Sequence, residues 1–277
     1  MRRANLFIWG CFRRPVLAIA VIYLFVAPCA ATLFYSARFW RSRWVYRFAL
    51  RVRRFRTARS KHVSLYYAPE LAGRIVAPDL LRVCEAVLDW LSQRFGFSLG
   101  SRTLIFLFAR PDDVGQAFGS RSTACAFNRR SIALPYDDRL LEVLRHELVH
   151  LFAWRWNANA PPILREGLSV WLQRTEGGEP IDMAAWHWQT QTEIKIDRLL
   201  SPEFFFDPKN CYACYMIAGS FTGYLIERFG WDSYRNLYSV CDGTGFRRKF
   251  EKCLGTSFDV VAQQWRQKIS PLSQLYG

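Results

Sequence analysis

Two histidines one helical turn apart, with a glutamate beside the first, set the tightest constraint on this chain. Arg145 to Phe152 reads RHELVHLF, which places His146, Glu147 and His150 in the pattern H-E-x-x-H. On a helix, residues four apart share a face, so both imidazoles can reach one ion. Glu147 sits about 100° around the axis from His146 and can flank that ion without binding it. Two imidazoles with a carboxylate poised over a water is the arrangement that metal-assisted hydrolysis needs. A catalytic zinc also needs a third protein ligand and an open position. Glu166 is the candidate. It lies beyond the breaking loop NANAPP, Asn157 to Pro162, on a second helical stretch, ILREGLSVWLQRT, Ile163 to Thr175. If the loop folds the two helices into an antiparallel pair, Glu166 returns to the level of the histidines. The plainer alternative is three ordinary polar residues on a helix. Against it, two of only 4 histidines in 277 residues fall in the motif.

The chain around the motif reads as a mixed layer followed by helices. HVSLYYA (His62 to Ala68), TLIFLFA (Thr103 to Ala109) and SIALP (Ser131 to Pro135) have strand character, the last placed at an edge and closed by its proline. Ala77 to Gly96 carries a helical apolar period that ends at Gly96. Asp137 and Asp138 offer an N-cap for a helix over Arg139 to Trp156. A polar, Gly/Pro-containing region runs to about Asn210. Helices are expected near Tyr212 to Phe229, Trp231 to Val240 and Ser257 to Ile269. That order suggests α+β.

The formal net charge of +15 resides in the N-terminal arm. Residues 1–61 hold 14 of the 38 Lys+Arg and none of the 23 Asp+Glu, so the rest is nearly neutral. Specific nucleic-acid binding is therefore not expected of the folded part. Behind the basic segment 1–14, Pro15 to Tyr35 is uncharged for 21 residues, long enough to span a bilayer. An uncleaved single-pass anchor in a bacterial inner membrane is favoured over a signal peptide cut near Cys29-Ala30-Ala31, because Leu33, Phe34 and Tyr35 continue the run. In residues 36–61, Trp40, Trp44, Phe48, Val52 and Phe55 recur every three or four positions between arginines. This predicts a basic amphipathic helix, lying on anionic lipid or packed on the chain's own domain. Flanking charge and cysteine content leave the side of residues 62–277 open.

Other residues carry less chemistry. Cys211-x-x-Cys214 lacks a second pair, so buried thiols or a disulfide are favoured over metal. His187 reads as a packing histidine rather than a cleft residue. Phe204 to Phe206 read as core or cleft wall.

VLRHELVHLF, PPILREGLSVWL and YMIAGSFTGYLIERFG together resemble the peptidase MA-like gluzincins, mostly bacterial zinc metallopeptidase domains. The resemblance implies a zincin-like α+β domain behind the membrane helix and one Zn2+ on His146, His150 and Glu166. It implies Glu147 as general base, and by analogy Tyr215 as a hydrogen-bond donor to the tetrahedral intermediate, with Tyr212 as close in sequence. Ser169 replaces the usual Ala and Ile163 a common Trp, neither expected to touch the ligands. The activity implied is hydrolysis of peptide bonds in a peptide or protein substrate, with membrane lipid as partner through residues 15–61. Two other readings stand beside it: a non-catalytic scaffold at the membrane that keeps the metal, and a lipid- or nucleic-acid-binding arm.

Overall fold

The computed structural model describes residues 47–118, 123–192 and 194–270, and the proposed anchor at 15–35 lies outside them. Among the described residues no helix is long and apolar enough to cross a membrane. The chain divides into two units, residues 1–53 with 117–120 and residues 54–116 with 121–277. Of the first, residues 47–52 are helical and the Phe48 and Phe118 rings lie 5.2 Å apart.

The second unit is built on a five-stranded sheet in the order β1-β2-β3-β5-β4. β1 is Arg56–Arg59, β2 Val63–Tyr67, β3 Thr103–Phe108, β4 Cys125–Asn128 and β5 Ser131–Pro135. β2, β3 and β5 run parallel, and β1 and β4 close the two edges antiparallel. Two expectations fail here. The amphipathic helix predicted through Lys61 stops at Val52, and Arg56–Arg59 instead pair with Ser64–Tyr67 of β2. Phe55 leaves the presumed helix face and meets Phe108 edge-on at 5.1 Å. β5 is interior rather than at an edge, because β4 adds outside it. Pro135 is tolerated because it stands last in its strand, opposite Phe108, where the ladder loses only a terminal donor.

α1 (Ala77–Phe95) buries Leu81, Cys84, Val87, Leu88, Leu91 and Phe95, one apolar stripe, and ends at Gly96 with φ 76. After α2 (Pro111–Phe118) the chain forms β4 and β5 and enters α3 (Leu140–Ala153). Neither expected aspartate caps α3. Arg139 holds the N-cap position without a side-chain bond, and Asp137 accepts the Arg139 N–H at 3.0 Å in a local turn.

α4 (Pro162–Gln173) follows the proline loop. His150 meets Glu166 and Ser169, His146 meets Gln173, and Glu142 meets Thr175, so α3 and α4 run antiparallel. A two-residue hairpin, β6 (Thr175–Glu176) with β7 (Glu179–Pro180), leads into α5 (Ile181–Thr192). The carboxylate of Glu142 clamps that hairpin, accepting from Thr175 Oγ1 and the Gly177 and Gly178 N–H groups. Burial pushes the Glu142 pKa up, but these donors and Arg139 more than offset it and hold it below the usual value.

α6 (Cys211–Phe229) is followed by α7 (Trp231–Val240), α8 (Phe246–Leu254) and α9 (Phe258–Ile269). α5 falls in the stretch read as a polar, Gly/Pro-containing region, and α8 in one given no assignment from the sequence. α5 buries only Ile181, Ala184 and Ala185, and α8 only Phe246 and Phe250, so their apolar stripes are thin.

Glycines let α6 lie close against α4. A Cβ on Gly167 would stand 2.5 Å from Thr222 Oγ1 and 2.6 Å from the Ala218 carbonyl oxygen, and one on Gly219 would stand 2.4 Å from Val170 Cγ1. Gly167→Ala is expected to destabilise the chain by about 1–3 kcal/mol, because the backbone contact cannot rotate away. Helix propensity alone predicts a gain of about 1 kcal/mol. A denaturant midpoint shifted upward would mean the helices separate at little expense.

Candidate metal centre

α3 turns His146 and His150 toward α4, and Glu166 faces them. Glu166 Oε2 lies 3.5 Å from His146 Nε2 and 3.2 Å from His150 Nε2, and the candidate ligand atoms of all three residues fall within 4.8 Å of one another. Tetrahedral zinc with bonds of about 2.0–2.1 Å has ligand–ligand edges of about 3.3 Å. The two N/O distances are therefore those of a set that can close on such an ion. Two imidazoles with one carboxylate also suit zinc by donor type.

Both imidazoles are held from behind by α4. His146 Nδ1 lies 3.1 Å from Gln173 Oε1, and His150 Nδ1 lies 3.2 Å from Ser169 Oγ. Glu166, Ser169 and Gln173 stand at i, i+3 and i+7, one stripe of α4. Sequence reasoning missed Gln173 and placed Ser169 away from the ligands. The stripe spacing was the signal available, since a polar stripe facing a histidine pair on an otherwise apolar helix needs partners.

Burial and charge set the protonation of the group. Burial would raise the pKa of Glu166, but the charge of His150 and hydrogen bonds from both histidines hold it well below the usual carboxylate value. Burial opposes charge on His146, yet the bond to Glu166 and the charges of Glu147 and Glu166 raise its pKa overall. Glu147 is 6% exposed and sits beside the cluster without joining it. Its pKa is raised, chiefly by burial, although both histidines and the Ala126 N–H of β4 favour the carboxylate. A carboxyl raised in this way takes up a proton more readily than an ordinary glutamate.

Of the two tyrosines, Tyr215 faces the centre. Its ring centroid lies 5.9 Å from that of His146. Burial and the charges of Glu166 and Glu147 raise its pKa well above the ordinary value, so it keeps its proton and can donate. Tyr212 is 45% exposed and its hydroxyl hydrogen-bonds Glu176 instead. Both line a cleft of about 460 Å³ that opens over His146 and Glu147, with Val143, Val170, Met216 and Phe206 as apolar wall and Arg139, Gln173 and Glu176 as polar wall. Arg139, Gln173 and Glu176 carried no motif in the sequence.

The remaining candidates separate. Phe205 is core and Phe206 is cleft wall, so the aromatic run does both. His187 is half-exposed, pairs with Glu179 at 3.0 Å, and does not line the cleft; it is satisfied at the surface rather than packed. Cys211 lines the cleft and Cys214 is buried. Among the described residues Cys84, Cys125, Cys211, Cys214, Cys241 and Cys253 are unpaired.

No family model matches the chain, and no curated protein matches it. A solved structure of a mutant M1 zinc metallopeptidase from Deinococcus radiodurans is similar at TM-score 0.43 and 17% identity, over 78% of this chain and 51% of that one. The chain thus spans about half the length of the structure it matches.

Proposed function

We propose that the chain is a zinc-dependent peptidase, anchored to a membrane through residues 15–35. The observation that carries the catalytic part is the convergence of His146, His150 and Glu166 beside a buried Glu147, with His146 and Glu147 lining the cleft. The anchor rests on the uncharged run alone.

His146, His150 and Glu166 would hold the metal, which when bound supplies Lewis-acid polarisation of the substrate carbonyl and lowers the pKa of water. Glu147 takes the proton of the attacking water and passes it to the leaving amine. Its Ala126 N–H partner keeps the carboxylate aimed while it changes protonation. Tyr215 donates its phenolic proton in a hydrogen bond to the developing oxyanion.

The test is metal content and turnover on the full-length chain. About one zinc per chain is expected, with cleavage of a mixed peptide library that stops on chelation and returns with zinc. A folded chain that takes up no zinc when supplied with it overturns the reading.

A further inference from the structure

Gln173 carries one carbonyl and one amino group, and its neighbours decide which faces which way. Its Nε2 lies 2.8 Å from the Thr175 carbonyl oxygen and 2.6 Å from Glu176 Oε2. Both partners are acceptors, so that end must be the amino group. The other end, 3.1 Å from His146 Nδ1, is then the carbonyl. Reversing the amide would set its oxygen against a carboxylate and a carbonyl in a buried site, leaving three acceptors without a proton. A carbonyl at His146 Nδ1 accepts a hydrogen bond only if that nitrogen carries the proton. On the other side of the ring Glu166 Oε2 lies 3.5 Å from Nε2, so without a metal both nitrogens face acceptors; a metal on Nε2 would take that lone pair and leave the proton to Nδ1 and Gln173.

Glu176 fixes the orientation. Its carboxylate is 7% exposed, pairs with the Arg139 guanidinium, and accepts from the Tyr212 hydroxyl. Arg139 also pairs with Glu142, whose carboxylate clamps the β6–β7 turn. The hairpin is thereby tied to the first turn of α3, and Glu176 is delivered beneath Gln173. Ser169 repeats the pattern for His150. Its hydroxyl donates to the Arg165 carbonyl at 3.3 Å, which leaves a lone pair for His150 Nδ1–H.

We propose that Gln173 and Glu176 are positioning residues that fix His146 in its Nδ1–H form and aim its Nε2 lone pair at the metal. The proposal rests on the zinc reading above for its purpose, but the proton's position can be read without metal. An acceptor behind a metal-ligating imidazole both selects the tautomer and raises the basicity of the ligating nitrogen. Here the acceptor is a neutral amide that a buried glutamate orients, so the carboxylate acts one residue removed.

The experiment uses the full-length chain labelled with 15N-histidine, whose 4 histidines give a countable spectrum. It is recorded metal-free and with Glu166→Ala, which removes the competing acceptor at Nε2, at a pH raised until the ring signals stop moving, with His146 assigned by His146→Asn. His146 is expected to carry its proton on Nδ1. Adding Gln173→Met is expected to move the proton toward Nε2, and with Glu166 intact Gln173→Met is expected to lower zinc affinity by chelator competition about 10–100-fold. The double exchange Gln173→Glu with Glu176→Gln restores an acceptor at His146 and is expected to recover most of that loss, which a merely structural role would not predict. A His146 protonated on Nε2 in the Glu166→Ala form, or Gln173→Met binding zinc as tightly as wild type, overturns the proposal. If no form binds zinc, the peptidase reading falls, while the tautomer spectrum still decides this one. If Gln173→Met does not fold, the Glu166→Ala spectrum and the double exchange decide it.

Discussion

Glu147→Gln is expected to bind zinc as the wild type does and to lose turnover by about 10²–10⁴-fold. The exchange keeps the shape of the side chain and an oxygen for the Ala126 N–H, but an amide cannot take up the proton of the attacking water. Zinc is expected to stay because Glu147 lies outside the His146, His150, Glu166 cluster. Substrate binding should change little, so the loss should fall in kcat rather than KM. The measurement pairs zinc content with kcat on a peptide found by library screen. Loss of zinc would make Glu147 a ligand. Unchanged turnover would mean the cleft activates water by another group, and a wild-type chain that holds zinc without turnover would be a scaffold.

What the sequence made legible follows the range of the interactions involved. α3 and α4 were readable because their apolar periods are long, and the loop from Asn157 to Pro162 had to break between them. Glu166 was reachable because antiparallel helices repeat the same face at a countable distance. β1 and β4 were not readable. Arg-Thr-Ala-Arg and Cys-Ala-Phe-Asn have no alternation, and they become strands only because β2 and β5 present free edges. Placing β5 at an edge failed for the same reason, since nothing local announces β4. Asp137 and Asp138 looked like caps by type, yet Asp137 closes a turn on the Arg139 N–H and the helix begins at Leu140, one residue later than expected. Ser169 and Gln173 were passed over because a serine and a glutamine inside a helix carry no chemistry until a histidine is known to lie opposite. The partners of a site, unlike its motif, are a property of packing.

Glu166→Ala is expected to weaken zinc binding by more than the about 10–100-fold typical of losing an outer partner, because it removes one of three direct ligands. The metal-free chain gives an independent reading of the same residue. Against the opposing effect of burial, the charge of His150 and hydrogen bonds from both histidines hold the pKa of Glu166 well below its ordinary value of 4.5, and the bond to Glu166 with the charges of Glu147 and Glu166 raises that of His146 above 6.5. A carboxyl with a lowered folded pKa contributes stability that is full above 4.5 and is lost as pH falls through the folded value. An imidazole with a raised folded pKa contributes stability that is full below 6.5 and is lost as pH rises through the folded value. The stability gap between metal-free wild type and Glu166→Ala is therefore expected to peak between those limits and to narrow on both sides. Zinc should abolish the alkaline narrowing in the wild type, because metal ligation requires the neutral imidazole and replaces its proton. Denaturant titrations of both forms across pH, with and without zinc, check this. A gap independent of pH would show that Glu166 acts there through packing alone. A variant with undiminished zinc affinity would place the third ligand elsewhere.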